Sequence, residues 1–120
     1  MIKTIEQKRA YFCLKKIDDF LKNHPDKEDR KKFKTNSMRL AQFIVSNGLI
    51  PTLAFYKAKK ERKEIYNILN DWFIQNNLVS QNTLEELINS DANILRLATV
   101  EALSLANWRK RIVEVKIEED

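Results

Sequence analysis

The stretch Asn47-Gly48-Leu49-Ile50-Pro51-Thr52, running on into Leu53-Ala54-Phe55, decides the fold. Gly48 is the only glycine in 120 residues, and Pro51 is one of two prolines. Glycine supplies the left-handed backbone that ends a helix, and proline is pre-set for a first helical turn. The stretch reads as helix, tight stop, helix start. A chain so poor in breakers has few places to turn. Long helices with short connections follow, and a β-rich fold is disfavoured.

Working outward, 120 residues with 43% hydrophobic side chains support one domain with one core. The expectation is an all-α, compact single-domain bundle of about five to six helices with a long C-terminal helix. It occupies residues 1–117, with a frayed acidic tail at 118–120. Lys and Arg number 22 against 17 acids, a net charge of +5, which favours a polyanionic partner such as nucleic acid. A single cysteine, Cys13, excludes an internal disulfide and fits a reducing cytoplasm. No run approaches the roughly 18 apolar residues of a membrane span, and Met1-Ile2-Lys3-Thr4 leads into no apolar signal core. The expected location is the cytoplasm, with no membrane partner.

Before the central stretch, Thr4-Ile5-Glu6-Gln7 has the pattern of a capping box. Ala10, Cys13, Leu14, Ile17, Phe20 and Leu21 then recur at helical spacing, and Asn23-His24-Pro25 ends the run. Asp26 caps a second helix reaching Asn47, which Thr35-Asn36-Ser37 either interrupts or does not. After the stretch, residues 52–59 form a short helix, and the basic run 57–63 is either a loop or a solvated helix face. Ile65, Ile68, Leu69, Trp72 and Phe73 mark a fourth helix, stopping near Asn76-Asn77. Thr83-Leu84-Glu85-Glu86 reads as a second capping box, and the last helix runs from about residue 92 to 115.

That last helix holds two anomalies. Ile94, Ala98, Ala102, Leu105, Trp108 and Ile112 share one face, and Glu101 falls inside it. A buried carboxylate needs a cation or backbone donors, and Arg9, at the rim of the first helix's stripe, is the candidate partner. Arg109 also lands on the inward arc, near the helix end, where its long stem is expected to carry the charge outward. The opposite face carries Arg96, Lys110 and Arg111 beside Val100 and Leu103, a docking surface or an ordinary solvated face with two stray apolar residues.

Catalytic and cofactor signatures are missing. His24 is the only histidine and sits in a turn, no zinc-spaced pair occurs, and one glycine cannot make a phosphate loop. Cys13 lies in a core stripe, and the paired acids Asp18-Asp19 and Glu85-Glu86 read as plain surface. No helix-turn-helix, zinc finger or RRM pattern is present, so the cations support backbone contact without base readout.

Three segments resemble a known family. Asn47-Gly48-Leu49, Thr52-Leu53-Ala54-Phe55 and Lys59 match the central signature of the small helical subunit of type III-B (Cmr) CRISPR effector complexes. Gln7-x-Arg9-Ala10 resembles its N-terminal pattern; Arg96-x-Ala98-Thr99-x-Glu101-Ala102-Leu103 with Trp108-x-Lys110-Arg111 resembles its C-terminal one. The chain departs from the pattern at Arg109, where the family has a hydrophobic residue, and at Ala58, where it usually has serine. The resemblance implies a non-catalytic subunit without cofactor or metal. Copies self-associate into a filament beside the other Cmr subunits and line a groove for guide and target RNA. On that reading Lys57, Lys59, Lys60, Arg62, Lys63, Arg96, Lys110 and Arg111 contact RNA. Val100 and Leu103 face neighbouring subunits, while Arg9, Asn47, Gly48, Pro51, Glu101 and Trp108 are structural. A protein-only helical adaptor with incidental charge is the alternative, and a small nuclease a third reading.

Overall fold

The computed structural model describes residues 2–117; the acidic tail at 118–120 lies outside the described residues. Six helices follow one another: α1 (Ile5–Asn23), α2 (Lys27–Asn47), α3 (Leu49–Lys57), α4 (Lys60–Gln75), α5 (Thr83–Ile88) and α6 (Ala92–Lys116). No strand occurs among the described residues.

Gly48 is both the last cap of α2 and the first of α3. Its N–H donates to Ile44 O at 2.8 Å, and its own carbonyl accepts the Thr52 hydroxyl at 2.8 Å. Its backbone sits at φ 86°, ψ 164°. That is not the left-handed helical well expected from the sequence but a more extended positive-φ region, essentially restricted to glycine. The third helix accordingly begins at Leu49, three residues earlier than the sequence reading. Pro51 occupies its first turn, where an N–H has no intrahelical acceptor to lose.

Other ends are closed by side chains. Thr4 and Gln7 form the full capping box, and the Asp26 carboxylate accepts from Glu28 N at 2.7 Å. Helix α4 ends in a Schellman motif: Asn77 takes φ 60°, Leu78 N donates to Phe73 O, and Asn77 N donates to Ile74 O. The second capping box does not form: the N-cap position of α5 falls on Asn82, whose side chain makes no capping hydrogen bond. Glu86 reaches back to accept from the N–H groups of Ser80, Gln81 and Asn82. Thr83 turns inward instead, its hydroxyl 2.6 Å from Asn70 Oδ1. Glu86 is therefore a loop anchor rather than plain surface, and those three donors hold its carboxyl below the usual range.

Helix α6 packs chiefly between α1 and α2. The pairs Arg9–Glu101 and Cys13–Leu105 share a separation of 92 residues, so α1 and α6 run parallel. Arg109–Ser37 and Lys34–Ile117 advance in opposite senses, so α2 runs antiparallel to α6. Helix α2 is continuous through Thr35-Asn36-Ser37. The core gathers Ile17, Phe33, Leu40, Leu53, Tyr56, Leu69, Trp72, Phe73, Ala102 and Leu105 from five helices. Ala98, Ala102 and Ala106 are fully buried, letting the α6 backbone come close to its neighbours.

Candidate nucleic-acid interface

The basic run resolves into a corner. Helix α3 ends at Lys57, Ala58 and Lys59 make the turn, and α4 starts at Lys60. Lys59 adopts extended backbone (φ −128°, ψ 144°) and provides no side-chain cap. No glycine or proline marks this break, which is why the sequence left it open. Arg62 supplies what the turn lacks: its Nε donates to Phe55 O at 3.0 Å, satisfying a terminal carbonyl of α3, and its guanidinium lies 3.7 Å from the Phe55 ring centroid.

The corner's cations thus divide into two kinds. Lys57 Nζ is 2.7 Å from Glu85 Oε1 and lies over the Tyr66 ring, and the Glu85 carboxylate raises its pKa. Arg62 is held by α3. Lys59, Lys60 and Lys63 are exposed and form no ion pair among the described residues. Arg39, on the exposed side of α2, belongs with this group although the sequence reading passed over it. It and Arg62 both lie near enough for their charges to act on the Tyr56 hydroxyl. Only the docking of α3 onto α2 brings Arg39 there.

On α6, Arg96 and Arg111 are exposed and Lys110 is half-buried. Lys110 and Arg111 line an open depression with Glu6, Ser104, Asn107 and Trp108. Val100 is 59% exposed, as is Leu97 one turn earlier. Leu103 is not the exposed neighbour the sequence reading made it: it is half-buried against the core. The outward large apolar residues of this helix are Leu97 and Val100, three residues apart, and Val115 near its end.

Beneath this surface runs a connected polar network. Arg9 donates through Nε and Nη2 to the two oxygens of Glu101, both at 2.8 Å. Trp72 Nε1 donates to Glu101 Oε1 at 2.8 Å. Arg9 Nη1 also pairs with Glu6, whose second oxygen accepts from Trp108 Nε1 at 2.8 Å. The Arg9 hydrogen bonds hold the Glu101 carboxyl below the ordinary range against an opposing desolvation effect, and Glu101 in turn raises the Arg9 pKa. One acid inside an apolar arc is thus tied to two tryptophans and α1.

Arg109 does not escape to solvent. It is fully buried, its guanidinium 5.1 Å from the Phe33 ring centroid and Nη2 2.8 Å from Ser37 Oγ. Phe33 and Ser37 of α2 close against it, and α2 is present there because it continues unbroken through residue 37. Burial alone pushes its pKa down to about 10, and pushes the nearby Cys13 thiol up to about 11. No group of three His, Cys, Asp or Glu able to hold a metal ion occurs among the described residues. No helix of the structure is long and apolar enough to cross a membrane.

The family model described as CRISPR-associated protein (Cas_Cmr5) matches residues 5–116, from the first residue of α1 to the last of α6. The match takes in the Arg9–Glu101 network, the Gly48 junction and the basic corner together. The chain belongs to this Cas_Cmr5 family, the small-subunit family of the Cmr (type III-B) CRISPR-associated complexes.

Proposed function

We propose that the chain is a non-catalytic structural subunit of a cytoplasmic Cmr effector ribonucleoprotein. Copies stack into a small-subunit filament and contact guide or target RNA through phosphates, without reading sequence. The observation that carries the RNA part is the corner at residues 58–63, where Lys59, Lys60 and Lys63 are exposed and form no ion pair among the described residues, although Glu61 and Glu64 stand beside them. Phosphates of a single strand are the natural counter-charge for such a group. The stacking part draws on Leu97 and Val100, apolar and exposed on the face of α6.

Salt dependence of single-stranded RNA binding tests this. Each contacted phosphate adds about −0.7 to the slope of log affinity against log salt. The triple variant Lys59→Ala, Lys60→Ala, Lys63→Ala is expected to flatten the slope by about 2 while leaving the melting temperature unchanged. An unaltered slope removes the corner from the interface. The second reading, a protein-only adaptor, is favoured by the same exposed Leu97 and Val100. It predicts no salt-dependent RNA binding by the assembled subunit at all.

A further inference from the structure

Arg109 is the only fully buried charged side chain among the described residues. Helix α1 presents the neutral Cys13 thiol to it, and α2 presents the Phe33 ring and the Ser37 hydroxyl. Helix α3 brings Tyr56, whose hydroxyl donates to Asn36 O and so is turned to α2. Helix α4 brings Glu64, which is exposed and forms no ion pair with it among the described residues. A guanidinium carries five N–H donors. Ser37 Oγ accepts one from Nη2, while Nε and Nη1 have no acceptor.

Such a group is short of two things, acceptors and negative charge. An internal water supplies the first and leaves the positive charge uncompensated in the interior. An anion supplies both. We propose that Arg109 and Ser37 form a buried binding site for one small monovalent anion of the chloride class, seated on the Nη1 side of the guanidinium beside the Nη2–Ser37 bond. Arg109 is fully buried, which keeps the site off the surface that phosphate groups of RNA could reach. The site is thereby distinct from the basic corner, and independent of the RNA-contact reading.

The test uses the full chain and its Arg109→Met variant, melted in sodium chloride and in sodium gluconate at one ionic strength. Wild type is expected to melt about 5 °C higher in chloride, as a ligand held only by the folded state requires. Arg109→Met is expected to melt at one temperature in both salts. A flat wild type, or an equal rise in both proteins, overturns the proposal. Crystals grown in bromide give the independent reading. An anomalous peak in contact with Arg109 Nη1 is expected, and an ordinary water there without anomalous signal overturns it.

Discussion

Arg9 and Arg109 sit one on each partner of the parallel pair α1 and α6, and the fold treats them in opposite ways. Arg9 keeps 13% of its side chain exposed, and its three guanidinium nitrogens all donate to carboxylates. Arg109 is wholly enclosed, lies over the Phe33 ring, and has one neutral hydroxyl as its hydrogen-bond acceptor among the described residues. The first is a charge brought partly inside with its counter-charge; the second is a charge brought fully inside without one. Burial depth therefore says little about what an ionic group contributes, and the set of acceptors decides the sign.

The comparison breaks most readily at Glu101. Glu101→Ala leaves Arg9 half-satisfied and Trp72 Nε1 without an acceptor. The expected loss is about 3 kcal/mol, read by urea unfolding. A midpoint equal to wild type would falsify the network's structural role. At Arg109 the sign reverses. Arg109→Met keeps volume and removes the unpaired charge, so it is expected to stabilise by about 2 kcal/mol in gluconate. That gain should shrink in chloride, and a destabilised variant in both salts would mean that the guanidinium is better compensated than the contacts show.

Smaller effects sharpen the contrast. Ser37→Ala is expected to cost about 1 kcal/mol in wild type and almost nothing in the Arg109→Met background. Equal costs in both would uncouple the pair. The pH dependence of Glu101 carries the last test. Its folded pKa is depressed, so its stabilisation is fully present above the unfolded value of 4.5 and is lost as pH falls through the lower folded value. The advantage of wild type over Glu101→Gln, about 1 kcal/mol at pH 7, should fade only below pH 4.5. An advantage constant down to pH 3 would assign it to packing.

Much of this was legible beforehand, for physical reasons that differ by site. Glu101 announced itself because a carboxylate in an apolar arc demands a cation, and Arg9 lay at the rim of the matching stripe. The Gly48 junction was legible because one glycine and one proline leave a single reading. Arg109 was misjudged because the sequence of α6 does not show that α2 closes over its last turns. Thr83 was placed one position early because a distant acceptor, Asn70, competes for its hydroxyl. The break at Lys59 carries no breaker residue; Arg62 holds the turn through a contact on the preceding helix. In each miss the deciding partner lies far along the chain or across a turn, where periodicity is silent.

The constant separation of 92 residues between α1 and α6 partners also sets the order of assembly. Closing a loop of that length costs about 4 kcal/mol of chain entropy before any contact between the two helices compensates it. Helices α2, α3 and α4 make their mutual contacts over much shorter stretches and are free to dock first. The face that α1 turns to α6 stays uncovered until α6 docks, although Phe12 and Phe20 can already meet Trp72 and Phe33 of the earlier helices. Helix α1 thus completes its burial only when a helix made some 92 residues later docks beside it.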